Sequence, residues 1–209
     1  MQLSATNTYT GATIVDGGAE FYVSGPGSIA ASSGVANNGV FDISRAWHSV
    51  SIQDLTGSGG VRLGGQNLTI TNATGTYTGR ISDDGIYPGI GGSITLAGGA
   101  LTLAGVSTYT GLTTVLAGKL KTGAENAFSP NSTHVIASGA TLDLNNFNQT
   151  IGSLGGGGTV ALGSATLTAG GNHNSMPFHG TISGTGGFTK EGNGAQFFTG
   201  TNTYEGITK

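Results

Sequence analysis

The chain has 209 residues, room for one or two ordinary domains, and 41 of them are glycine, roughly 20% against a usual ~7%. Charged residues make up 8% where roughly 25% is typical, and mean hydropathy is +0.04, so Thr, Ser, Asn and Gly stand where charge is missing. This composition excludes a membrane-spanning helix, collagen and, with net charge −3, extended disorder; seven unclustered Lys and Arg argue against nucleic acid and anionic membrane surfaces, and the lack of Cys removes disulfides and thiolate chemistry.

Met1-Gln2-Leu3-Ser4 has no basic or apolar signal region, so for an exported protein the signal has been removed. Asn7-Thr8-Tyr9-Thr10-Gly11 is the first of three related blocks, followed by Ser107-Thr108-Tyr109-Thr110-Gly111 and Asn202-Thr203-Tyr204-Glu205-Gly206, a period near 100 residues. Between them Val35 answers Val135, Phe41-Asp42-Ile43 answers Leu142-Asp143-Leu144, and Val61-Arg62-Leu63-Gly64 answers Val160-Ala161-Leu162-Gly163. Tyr77-Thr78-Gly79-Arg80-Ile81-Ser82 likewise answers Phe178-His179-Gly180-Thr181-Ile182-Ser183. The expected organisation is one domain over 1–209, with units 5–104 and 105–200 and a truncated third at 201–209. A chain ending inside a motif is expected to be an excised fragment.

Short alternating segments run through both units, among them Ser93-Ile94-Thr95-Leu96, Ala100-Leu101-Thr102-Leu103, Thr141-Leu142-Asp143-Leu144 and Thr166-Leu167-Thr168, each closed by Gly or Asn. The one helical candidate, Leu120 to Phe128, is broken by Gly123 and stopped before Pro130. The class is all-β. Eight Phe, one Trp and six Tyr are too few large side chains for a sandwich, and a propeller fits the short strands less well. A parallel β-helix suits them, with turns stacked at ~4.8 Å on a thin apolar column, four or so turns per unit and about nine in all.

The stretches Gly92 to Gly98 and Val106 to Leu120, followed by Gly139 to Leu154, resemble the passenger-associated repeat of bacterial autotransporters. The resemblance is strongest in the second unit and fades between Glu20 and Trp47. It implies a right-handed parallel β-helix at the bacterial cell surface or secreted, exported through the protein's own C-terminal translocator barrel, with a scaffold or adhesive role. Partners would be host or neighbouring-cell surface molecules, glycan or protein. The absence of Cys agrees, since a periplasmic disulfide would knot a chain that must pass the membrane unfolded.

The ten carboxylates are scattered. Only Asp83 and Asp84 adjoin, where strand neighbours point to opposite faces, and a glycosidase needs two carboxyls about 5–9.5 Å apart. No catalytic residue, metal site or cofactor is expected. His173 and His179 could approach one metal but lack a third ligand. The alternatives are a polysaccharide lyase or hydrolase, which needs several titratable groups in one lateral groove, and a sugar- or ice-binding module, which needs Thr-x-Thr pairs such as Thr69/Thr71 and Thr166/Thr168 in a flat exposed ladder. The motif Tyr residues are expected to pack between turns. Departures between units mark contact loops: the first inserts residues 83–92 where the second has Gly184-Thr185-Gly186-Gly187, and it carries the sole Trp. Arg45, Trp47, His48, Asp83, Asp84, Tyr87, His173 and His179 are therefore the candidate partner-contact residues.

Overall fold

The computed structural model describes residues 1–209, folded as 25 short strands without a helix. Its strands stack in parallel, turn on turn, into a β-solenoid with three faces. Face one is an eight-stranded sheet from Val50–Ile52 through Asn67–Ile70, Ser93–Leu96, Thr113–Val115, Thr133–Ile136, Ser153–Gly156 and Met176–Phe178 to Gln196–Phe198. Face two begins with Thr13–Val15, Val35–Asn37 and Leu55–Thr56. The parallel bridge Gly57 to Tyr77 joins it to the sheet running from Thr76–Tyr77 to Thr181–Ser183. Face three runs from Gln2–Leu3 through Glu20–Gly25, Val40–Ala46 and Gly60–Arg62 to Ile81–Ser82. It continues where Thr108 N donates to Ile81 O and the Ser129 hydroxyl to Tyr109 O. The Phe128 amide then donates to Gln149 Oε1, leading into Gln149–Ile151, Leu167–Ala169 and Phe188–Lys190.

Alternation along each strand sends every second side chain inward, and in-register stacking lines these up as apolar columns. On face one the column is Ile52, Ile70, Leu96, Val115 and Ile136; on face two it is Leu101, Leu120, Leu142, Val160 and Ile182. Phe21 stacks on Phe41 at 5.7 Å and 12°. Together these columns make one contiguous core of 41 buried residues, which is why the fold needs few aromatics. Turn length varies at the corners: Thr141 to its partner Thr159 takes 18 residues, Asn67 to Ser93 takes 26 because the insert lies between them.

The recurrent tyrosines pack as expected where a turn covers them. Tyr109 is fully buried and shares a hydrogen bond of 2.6 Å with Thr113, whose hydroxyl meets Ser132 at 2.8 Å. Tyr9 repeats this with Thr13 and Ser32, and Tyr204 pairs with Thr208. Tyr9 remains 39% exposed, on the first turn.

Strand pairing corrects one sequence match. Thr13 pairs Val35 and Thr113 pairs His134, so His134, not Val135, occupies the place of Val35. Val35 and His134 are both buried while Val135 is half-exposed, so the inward-outward alternation decides the register.

The three motif copies lie on three different faces. The strand after Tyr9 is on face two, the strand after Tyr109 on face one, and Thr208 bridges Phe188 on face three. With a third of a turn per face position, Thr13–Val15 and Thr113–Val115 are fourteen positions apart, four turns and two thirds. Each copy is therefore turned by one face relative to the one before.

Candidate functional site

On face three the outward row Tyr22, Asp42 and Arg62 is set by register. Asp42 is nevertheless fully buried, because the segment 83–92 folds back over it. Asp42 Oδ1 accepts from Ser44 N at 2.8 Å and Oδ2 from Ile86 N at 3.1 Å; Ser44 Oγ accepts from Tyr87 N at 3.1 Å. Gly64 N donates to Asp84 O, and Asp83 Oδ2 accepts from the Thr110 amide at 3.0 Å and hydroxyl at 2.6 Å. The insert is thus tied both to the strand Val40–Ala46 and to the next turn. Burying the Asp42 carboxylate is tolerable because both oxygens receive N–H donors.

The tether sets Tyr87 under Arg45, whose guanidinium carbon is 5.3 Å from the ring centroid. Two residues on, Trp47 donates its amide to Gly25 O at 3.0 Å and is 79% exposed. Its indole runs beside the Gly25 backbone, where a methyl group would come within 3.7 Å of the ring. Tyr87 is 59% exposed, and Ile86 and Ile90 lie in the same insert at the surface. Arg45 and Tyr87, far apart in sequence, meet at the surface, while Trp47 leans on the preceding turn at Gly25. His48, next to Trp47 in the chain, is exposed, with Nδ1 against Ser49 O. Asp83 and Asp84 act as tethers: Ser82 Oγ donates to Asp84 at 2.8 Å, and Arg80 pairs with it at 3.3 Å in solvent.

His173 and His179 lie elsewhere, on either side of Met176–Phe178 in face one. His173 Nδ1 accepts from Asn193 N at 3.1 Å, and His179 meets the Thr199 hydroxyl. No three His, Cys, Asp or Glu side chains gather closely enough to hold a metal. A depression of about 420 Å³ is lined by Thr110, Asn131, Thr150, Asn172 and Glu191, with one titratable group among them. That is not the convergence polysaccharide cleavage needs. The Thr column of face one, Thr69, Thr95 and Thr114, stops at Val135, and Thr71 is turned to Ile52 O, so no regular two-column ladder forms.

Three residues unmarked by sequence reasoning matter inside. Tyr77 donates to Gly59 O and shares a bond with Asn37 Nδ2 at 3.1 Å, while Asn37 Oδ1 has no partner; burial raises the Tyr77 phenol well above its ordinary range, and that of Tyr109 to about 12. His134 is fully buried 5.3 Å from Phe128, with Nδ1 near Ser132 O and Nε2 unpartnered. Burial pulls its imidazole down to about 4, because the charged form cannot be solvated there.

A three-faced parallel solenoid with a recurrent Tyr-Thr-Ser bonding pattern defines a β-helical repeat protein. Residues 1–19, 98–128 and 188–209, which hold the three motif copies, match the family model described as a passenger-associated-transport repeat. The chain is 40% identical over 148 residues to the adhesin BmaC autotransporter of Brucella suis biovar 1 (strain 1330), a match covering 68% of this chain and 4% of that protein. The chain is therefore of autotransporter passenger type, and it spans a small fraction of the relative's length. No solved structure matches it.

Proposed function

We propose that this chain is a non-enzymatic section of a surface-exposed or secreted stalk, and that it contributes to adhesion through the exposed Trp47 and the Arg45–Tyr87 pair. The whole protein would then be held in the outer membrane by a C-terminal translocator barrel and would meet surface molecules of a host or neighbouring cell. The observation that carries this reading is the exposure of Trp47 and of the Tyr87–Arg45 pair, aromatic anchors and a cation on segments that depart from the repeat. His48 adjoins Trp47, Asp83 and Asp84 brace the insert that carries Tyr87, and His173 and His179 form a separate contact candidate. The relative's description as an adhesin supports the same direction.

Beads coated with the chain should attach to cultured mammalian cells more than bare beads do, and Trp47→Ala with Tyr87→Ala should cut that attachment several-fold. Attachment no better than bare beads would sink the reading.

A further inference from the structure

The insert 83–92 carries Ile86, Tyr87 and Ile90 at the surface, 43%, 59% and 86% exposed. Its main chain is turned to the rod. Ile86 N donates to Asp42 Oδ2, Tyr87 N to Ser44 Oγ, Gly89 N to Asp83 O and Gly91 N to Thr110 Oγ1. Pro88 has no N–H, so between 86 and 91 the Ile90 amide alone is left open. The Asp84 carbonyl accepts from Gly64 N. The carbonyls of Tyr87 and Ile90 lie against Gly64 and Gly65, where an added Cβ would come within 2.6 and 3.4 Å of them. A loop that settles its polar backbone against the rod and turns apolar side chains outward can leave water at little cost, because few of its N–H groups lose a partner.

Arg45 supplies a polar edge. Its guanidinium carbon stands 5.3 Å from the Tyr87 ring centroid, and it has no carboxylate partner, whereas Arg62 pairs with Glu20 and Arg80 with Asp84. A free guanidinium bonds phosphate in bidentate fashion, and tyrosine is enriched where hydrocarbon gives way to headgroups. None of the surface depressions is lined by residues 83–92. A stable protein contact draws on about 20–30 residues a side, far more than this insert offers, while a bilayer needs no matching shape. With net charge −3 on the chain, attraction to anionic lipid adds nothing.

We propose that the insert 83–92 docks on the phospholipid surface of a membrane, with Ile90 and the exposed part of Ile86 entering the acyl boundary, Tyr87 at headgroup level and Arg45 bonding lipid phosphate. This inference rests on the adhesive reading and gives the Arg45–Tyr87 pair its class of partner.

The chain has no Cys, so Ile90→Cys provides a single attachment point for a polarity-sensitive fluorophore, with the exposed Ser138→Cys as control. The labelled chains would be titrated with phosphatidylcholine vesicles, and the unlabelled chain sedimented with them. One loop should bind more weakly than a myristoyl chain, whose partition constant is about 10⁴ M⁻¹, so the titration runs to millimolar lipid. The expected result is a saturable blue shift for the label at 90 and none for the label at 138. Sedimentation should be unchanged by high salt and no stronger with phosphatidylserine present. Ile86→Ser with Ile90→Ser should cut it about tenfold, and Arg45→Gln about threefold, while far-UV circular dichroism stays native. No sedimentation with phosphatidylcholine, its loss in high salt, or undiminished sedimentation of the double Ser variant would each overturn the assignment. Bead attachment separates the two claims. Attachment that depends on Trp47 and Tyr87, without sedimentation on vesicles, ends the lipid contact and leaves adhesion standing; its loss after proteolysis of the cell surface would then assign the insert to a protein. Neither attachment nor sedimentation ends both.

Discussion

The two halves of the rod share a backbone template while exchanging what fills it. Gly57 and Gly156 both adopt φ +105, over Asn37 and Ile136 respectively. Gly79 and Gly180 both lie so close to a carbonyl, of Gly59 and Gly158, that an added Cβ would sit 1.8 Å from it. Around these fixed points the polar pair Asn37 and Tyr77 of the first half becomes the apolar pair Ile136 and Phe178 in the second, and Val35 becomes His134. Backbone spacing between turns is the invariant; the chemistry of the column is negotiable so long as volume and pairing are kept.

The glycine contacts should give the largest effects. Gly79→Ala and Gly180→Ala should each cost about 3 kcal/mol, at the upper end for overpacking, as read by urea unfolding followed by circular dichroism. A large effect in one half and none in the other would break the equivalence of the halves.

Next comes pH, which should separate them. His134 titrates near 4 when folded and near 6.5 when unfolded. Above pH 6.5 both states are neutral and the residue contributes no slope. As pH falls from 6.5 to 4 the unfolded chain takes up the proton first, so about 3 kcal/mol of stability should be lost over that window. His134→Val, which installs the first-half residue, should flatten that slope; an unchanged slope would assign it to other groups.

A smaller effect is expected from swapping the polar pair. Tyr77→Phe alone should cost about 1–2 kcal/mol, because Asn37 and Gly59 O lose a partner in a dry site. Asn37→Ile with Tyr77→Phe should recover most of it, and a double variant worse than the sum of the singles would show that the two columns are packed differently.

Smallest of all, replacing residues 83–92 by Gly-Thr-Gly-Gly should cost about 1 kcal/mol, since Asp42 exchanges the Ile86 N–H, and Ser44 the Tyr87 N–H, for water. Hydrogen exchange should accelerate at Ser44 and its neighbours while the second half stays protected.

Much of this architecture was legible in the sequence. The recurrence of Tyr9, Tyr109 and Tyr204, the alternation of Ser93–Leu96 and Thr141–Asp143, and the lack of a helical stretch lead to stacked parallel turns. The burial of Tyr109 follows from its repetition. The rotation between copies was not legible, because it depends on which face each strand joins and turn length varies at the corners. Nor was the anchoring of Ile86 by Asp42, 44 residues apart, since an outward Asp reads as a solvated one until a loop is seen lying on it. The contact candidates divide in the same way. Arg45, Trp47 and Tyr87 were marked by departure from the repeat, but only the fold shows that Arg45 meets Tyr87 while His173 and His179 stand apart.

The two-thirds remainder in each copy has a geometric consequence. Three successive copies complete fourteen whole windings and restore the starting azimuth, so an embellishment borne by every copy would point to three compass bearings around the shaft, like thorns on a stem. A long filament ornamented in this way could touch a neighbouring surface whichever side it happened to present, without swivelling at its base.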